Sequence, residues 1–185
     1  METIESQPNL QQFAVKHGLL VGILISFLAL LIYIVDYTLL VHWSYSLTSF
    51  IISISIVIYF GIQYRKSGSG YLPFSKSYQL AFFIMAISGI VQILFGIILY
   101  HVIDPELPQL ITKAAIENME GMFRSMGMSQ GKIDEQILRL KKEMPEQFTV
   151  VSQLKNSWLI LLFAALLALV AGAIIKKNEP IIENF

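Results

Sequence analysis

Apolar residues in this chain are concentrated in four long blocks separated by polar segments. A transmembrane helix needs about 20 mainly apolar residues to cross about 30 Å of hydrocarbon, and each block approaches that length. The pattern predicts an all-α integral membrane protein, built as a four-helix transmembrane bundle within a single membrane domain over residues 1–185. The predicted spans cover residues 18–40, 47–64, 77–102 and 157–175.

The longest polar segment, about residues 105–156, separates the third and fourth spans. Within it, apolar residues recur at steps of three or four, the spacing of one helix face. The first row is Ile111, Ala115, Met119, Met122 and Met126, and the second is Ile133, Ile137, Leu140 and Met144. We expect two short amphipathic helices that face water, with a turn at residues 127–131 and the second helix ending at Pro145.

Composition narrows the classes of function. The chain is 55% hydrophobic and 14% charged, whereas about a quarter of an average globular chain is charged. Its formal net charge of zero argues against a nucleic-acid partner. The absence of cysteine excludes disulfides, thiolate metal sites and a cysteine nucleophile. The apolar run after Lys16 exceeds the roughly 7–15 residues of a secretory core, so we interpret it as an uncleaved span.

Lysine and arginine residues near the span ends predict the orientation. Only Lys155 flanks a span on the side of the 105–156 insert. The side shared by the termini and the 65–76 loop carries Lys16, Arg65, Lys66, Lys76, Lys176 and Lys177. The positive-inside rule then places both termini in the cytoplasm and the insert outside it. The basic residues within the insert count against this orientation.

Ionisable residues occur near span ends rather than span centres. Asp36, His42, His101 and Asp104 are all predicted on the outer side. One interpretation is a proton-, cation- or metal-binding cluster; the other is a set of separate interfacial residues, with Asp104 also capping the next helix. We favour separate residues because no HxxxH or HExxH spacing is present. Gln92, near the middle of the third span, is expected to form an interhelical hydrogen bond rather than to line a path.

Small residues at helical spacing predict close packing seams, either within the bundle or between protomers. These residues are Gly18, Gly22, Gly89, Gly96, Ala164, Ala168 and Gly172.

Methionines in the insert allow two interpretations, because thioethers can bind Cu(I) but also fill apolar helix faces. We favour the apolar face, which would contact a partner or the membrane surface through Met119, Met122, Phe123, Met126 and Met144. No cofactor or metal is therefore expected.

Motifs for nucleophilic catalysis and phosphate binding, such as GxSxG, a Walker loop and GxGxxG, do not occur. We expect a non-enzymatic interaction or scaffold component whose partners are the lipid bilayer and a second copy or another membrane protein. The alternative is a small oligomeric transporter or a lipid- or ion-binding membrane protein. A membrane-embedded enzyme acting on lipid is a weaker third option.

Four segments resemble a known family in their order and spacing. They are RKSGSGYLPFSKSYQLAF after the second span, YHVIDPEL at the end of the third, GMSQGKIDEQI in the insert and the terminal IIKKNEP. Together they resemble the bacterial membrane proteins of the domain of unknown function 4199 family. The resemblance implies a small four-span inner-membrane protein with an extracytoplasmic helical insert, and it assigns no activity or catalytic residue.

Overall fold

A computed structural model describes residues 8–179, which fold almost entirely into helices. The helices, numbered in chain order, are α1 Leu10–Asp36, α2 Trp43–Lys66, α3 Phe74–Ile98, α4 Leu107–Ser125, α5 Gln130–Gln147, α6 Val150–Lys155 and α7 Ser157–Ile175. A 3₁₀ turn, Tyr37–Val41, follows α1, and a π-helical turn, Leu99–Ile103, follows α3. No β-strand forms within the described range.

Four helical stretches are long and apolar enough to cross a membrane, which confirms the predicted four-span fold of a multi-pass membrane protein. They are Leu10–Val41, Trp43–Lys66, Phe74–Ile103 and Val150–Ile175. The helix pair between the third and fourth spans is also present as α4 and α5. The side of the membrane on which it lies stays a prediction.

The helix that carries the first predicted span, residues 18–40, begins earlier, at Leu10, in the LQQFAVKHG stretch. The side chain of Asn9 accepts a hydrogen bond from the backbone N–H of Gln11 and caps this helix. The second insert helix runs through Pro145 to Gln147, so the predicted end at Pro145 was wrong. Proline cannot donate a backbone hydrogen bond. Because Pro145 lies in the last turn of α5, only two helical residues follow it, and little of the helix is disturbed.

The chain forms two compact units. The first unit takes in the described residues of 1–25, 50–91 and 158–185, and the second takes in residues 26–49 and 92–157. The predicted single domain over 1–185 also included residues 1–7 and 180–185, which lie outside the described range.

The first unit is held together by small and aliphatic side chains. Its buried core comprises Ala14, Val21, Ile25, Val57, Tyr64, Leu72, Leu80, Ala81, Ile84, Ala168, Ala171 and Ile175. At one end of this core, the guanidinium of Arg65 donates to the Ile175 carbonyl, which satisfies an acceptor left open at the end of α7. Leu72 and Lys177 exchange two backbone hydrogen bonds of 2.8 and 2.9 Å, which hold the segment after α7 against the segment before α3.

The second unit has a smaller core that is rich in aromatic rings. Leu99, Leu107 and Ile111 are buried, and the half-buried residues packed on them are Tyr33, Tyr37, Leu40, Val41, Phe95, Tyr100 and Phe148. Helix α4 packs against both α5 and the 3₁₀ turn. The second unit therefore joins the insert helices to the ends of the first and third spans.

Candidate binding site on the α4–α5 hairpin

Helices α4 and α5 form a hairpin whose turn is specified by a glycine. Gly127 has a φ of +73°, a left-handed conformation that favours glycine. The N–H of Gly127 donates to the Arg124 carbonyl at 3.0 Å, and the N–H of Met128 donates to the Phe123 carbonyl at 3.1 Å. This pair of bonds is a Schellman motif, which ends α4 and starts the return towards α5.

A groove of about 390 Å³ opens along the hairpin. Ile116 and Ile137 line it from the two helices and make its floor apolar. Its charged lining groups are of both signs, namely Lys113, Glu117, Glu120 and Lys141. A groove of this size and composition can accept an apolar side chain and pair with charges around it.

An exposed leucine lies beside this groove. Leu138 is 72% exposed although it belongs to a polar helix outside the four spans. It precedes Lys141 by three positions, so the two side chains share a face of α5. The hairpin therefore presents an apolar projection next to an apolar groove.

The predicted methionine face is only partly open. Met119, Phe123 and Met144 are half-buried, whereas Met122 is 49% exposed and Met126 is 68% exposed. The exposed pair lies near the hairpin turn. Sequence periodicity identified the four methionines and also Ile137, which lines the groove, whereas Ile116 and Leu138 were missed because they lie outside the two apolar rows.

Three of the four predicted polar-cluster residues bond to near neighbours in the chain. The Asp36 carboxylate accepts from the Thr38 N–H and hydroxyl at 2.8 and 2.7 Å, His42 bonds to the Ser44 hydroxyl at 2.7 Å, and His101 donates to the Ile97 carbonyl at 3.1 Å. Across residues 8–179, no three His, Cys, Asp or Glu side chains come together in a way that could hold a metal ion.

Asp104 makes the longest-range side-chain contact of the four. One carboxylate oxygen accepts from the Tyr33 hydroxyl at 3.0 Å, and the other accepts from the backbone N–H groups of Glu106 and Leu107 at 3.1 Å each. These bonds connect the first span to the start of α4. Asp104 lies two residues before the N-cap of α4, Glu106, and its carboxylate bonds to the N–H of Leu107, the first residue of the helix. Its partner Tyr33, 71 positions away, was missed.

The predicted packing-seam residues contact other helices of the same chain. A Cβ atom added at Gly18 would lie 2.8 Å from Ile87 Cβ, and one at Gly22 would lie 2.6 Å from Val91 Cβ, so α1 and α3 approach closely there. Gly89 faces Ile160 of α7, and Gly172 faces the backbone of Tyr78. Ala164 and Ala168 are buried, and Gly96 lies near Gln153. Gln92, the polar residue predicted inside the third span, is half-buried and interacts with another group.

The architecture agrees with a comparison against protein families. A family model described as a protein of unknown function, DUF4199, matches residues 16–177. The chain belongs to this family. Comparisons with curated proteins and with solved structures found no match to this DUF4199 protein.

The family match confirms the resemblance noted from the four sequence segments. It spans the whole α4–α5 hairpin and extends to Lys177, the residue that pairs with Leu72. The hairpin groove and its neighbouring leucine are therefore features of the family-matched region of this DUF4199 protein.

Proposed function

We propose that this DUF4199 protein is a non-enzymatic membrane component that acts through protein–protein contact. The partner that binds in its α4–α5 groove is a second copy of the chain. The observation that carries the proposal is Leu138, which is 72% exposed beside a groove floored by Ile116 and Ile137. Burying such a side chain contributes about 1.5–3 kcal/mol.

The geometry suits a two-fold interface. In such an interface, the same patch occurs on both partners, so a residue that contacts a groove on the partner receives the reciprocal contact in its own groove. Leu138 follows Ile137 and precedes Lys141 by three positions, and both of these residues line the groove, so helix geometry places Leu138 at its margin, as this symmetry needs. Two copies anchored in one membrane also present their hairpins with a common orientation.

Charge around the groove supports the same occupant. Lys113 and Lys141 carry positive charge, and Glu117 and Glu120 carry negative charge. A surface bearing both signs can pair with a rotated copy of itself, and complementary charges favour correct register. The net charge of zero adds no overall repulsion between copies.

The packing of the spans favours the hairpin over the lipid-embedded helices as the contact surface. Glycines that could have formed a seam between protomers, including Gly22, Gly89 and Gly172, contact side chains or backbone within the chain. In this proposal, the membrane is the bacterial inner membrane, the termini are cytoplasmic and the hairpin is extracytoplasmic. The distribution of lysine and arginine at the span ends supports this orientation.

Replacement of Leu138 tests the interface directly. We expect the full-length protein to self-associate in lipid nanodiscs and Leu138→Glu to weaken that association about tenfold or more, because the burial of one leucine is lost and a charge is introduced. The measurement is the monomer–dimer distribution as a function of protein density, by single-molecule photobleaching. Gln136→Glu is the matched control, because it adds the same charge at an exposed position on another face of α5.

Because the chain contains no cysteine, introduced cysteines give an unambiguous second test. Two differently tagged copies, one with Leu138→Cys and one with Glu117→Cys, should form a disulfide on mild oxidation, since a disulfide needs Cα atoms within about 7 Å. Gln136→Cys paired with Glu117→Cys should not. A wild-type protein that stays monomeric at every density, or equal crosslinking by both pairs, would refute the proposal.

A further inference from the structure

A second cavity, of about 440 Å³, lies in the first unit beside the start of α1 and the end of α2. Its polar lining side chains are Gln12, Lys16, His17, Gln63 and Ser67. Lys16 and His17 come just before the first apolar block, and basic residues at the end of a span are typical of the headgroup level of a membrane. The proposed self-association at α4–α5 does not involve any of these residues.

The ring of His17 is held rigidly. It stacks on Phe13 with ring centroids 3.8 Å apart, and Phe60 lies 4.3 Å away on a tilted plane. Its Nδ1 is 2.8 Å from the Phe13 carbonyl. A carbonyl oxygen can only accept, so Nδ1 carries the hydrogen and donates it. The nitrogen left for a ligand is Nε2, which has no hydrogen bond within residues 8–179.

The unit that contains the cavity has an excess of basic residues within the described range. The described residues of the first unit include Lys16, Arg65, Lys66, Lys76, Lys176 and Lys177, and Glu179 is their single acidic residue. Arg65 is engaged with the Ile175 carbonyl, and Lys176 and Lys177 lie over the rings of Phe74 and Tyr71. Among residues 8–179, Lys16 is the charged residue that lines the cavity, and none of the lining side chains in that range is acidic.

We infer that this cavity binds a phosphate group. A phosphate presents several acceptor oxygens, and the cavity offers the ammonium of Lys16 and the amides of Gln12 and Gln63 as donors to them. Because Nδ1 of His17 donates to the Phe13 carbonyl, Nε2 of the same ring offers an acceptor for a hydroxyl group of the phosphate or of the molecule that carries it. The aromatic pair around His17 keeps one of these groups in place before the ligand arrives, which lowers the ordering cost of binding. The phosphate is carried either by an anionic lipid headgroup or by a soluble molecule.

Native mass spectrometry of the full-length protein in detergent tests the inference and separates the two sources. The probes are phosphatidylglycerol and inorganic phosphate, with phosphatidylcholine as the reference lipid. Lys16→Gln should weaken binding of the phosphate-bearing probe about tenfold, the loss expected for one charge-assisted hydrogen bond. His17→Phe keeps an aromatic ring in the stack but removes Nε2, and it should also weaken binding.

Lys76→Gln is the matched control, because it removes the same charge from the same unit at an exposed residue outside the cavity. Selective binding of phosphatidylglycerol that phosphate does not displace would identify a lipid headgroup as the ligand. Binding of inorganic phosphate, or its displacement of the lipid, would identify a soluble phosphate. If neither probe binds selectively, or if Lys76→Gln weakens binding as much as Lys16→Gln, the inference is overturned.

Discussion

The two units of this protein are held together by different means. In the first unit, helices approach closely because glycine and alanine leave room for the neighbouring helix, as at Gly22 and Gly172. In the second, hydrogen bonds to Asp104 and packed aromatic rings join segments that are far apart in sequence. Lipid provides no hydrophobic force between helices, so close packing must hold the first unit, whereas side-chain hydrogen bonds can direct the second.

Their charges differ in the same way. Described residues of the first unit have six basic side chains against Glu179 alone, while residues 105–156 of the second carry seven basic and seven acidic side chains. A cationic surface favours phosphate-bearing ligands, and a mixed surface favours a partner with complementary charges of both signs. The proposed ligand binding and the proposed self-association therefore concern different units.

Enlarging Gly172 should have the largest effect on stability. A Cβ atom there would lie 3.0 Å from both the backbone N and Cα of Tyr78, and backbone cannot move aside as a flexible side chain can. We expect Gly172→Val to destabilise the protein by about 3 kcal/mol, the upper range for overpacking. Thermal unfolding in detergent, followed by circular dichroism, measures the change. An unchanged midpoint would show that close packing does not hold the first unit.

Loss of the Asp104 carboxylate should have an intermediate effect, confined to the second unit. Asp104→Ala removes three hydrogen bonds and should cost about 2 kcal/mol, while Tyr33→Phe removes one and should cost about 1 kcal/mol. Because the two residues share a bond, the double variant should be less destabilised than the sum of the single variants. Hydrogen exchange should increase in α4. Strictly additive effects would contradict a direct Tyr33–Asp104 contact.

A glycine in the second unit should respond in the opposite direction from Gly172. Gly121 lies within α4, is exposed, and has no atom within 4 Å of an added Cβ. Alanine has the higher helix propensity, so Gly121→Ala should stabilise the protein by up to about 1 kcal/mol in the same unfolding measurement. If Gly121→Ala instead destabilises the protein, a partner covers this face of α4. A matching loss of self-association in the variant would then identify that partner as a second copy.

Sequence predicted the elements of this fold well because run length and periodicity report on each helix separately. Four apolar blocks gave the four spans, and two rows of apolar residues at helical spacing gave α4 and α5. The small-residue positions were also identified from spacing. The helix that each small residue packs against could not be predicted, because the four-residue spacing of Gly18 and Gly22 contains no information about their neighbours Ile87 and Val91.

The candidate sites were harder to predict from the sequence for the same reason. Half of the His17 arrangement follows from sequence, since Phe13 precedes it by one helical turn, but Phe60 is brought to the ring only by packing of another helix. Leu138 is a single apolar residue on a polar face, which periodicity treats as an exception. Asp104 was identified by its place before a proline, whereas Tyr33 looked like any aromatic residue near a span end.

The π-helical turn Leu99–Ile103 carries one residue more than an α-helical turn would, as shown by the 2.9 Å bond from the Asp104 N–H to the Leu99 carbonyl. Each residue of an α-helix advances the chain by about 100° around its axis. Without the extra residue, Asp104 would be rotated by about that angle and its carboxylate would no longer face Tyr33. The surplus residue thus sets the rotation about the helix axis at which the chain leaves α3 for α4.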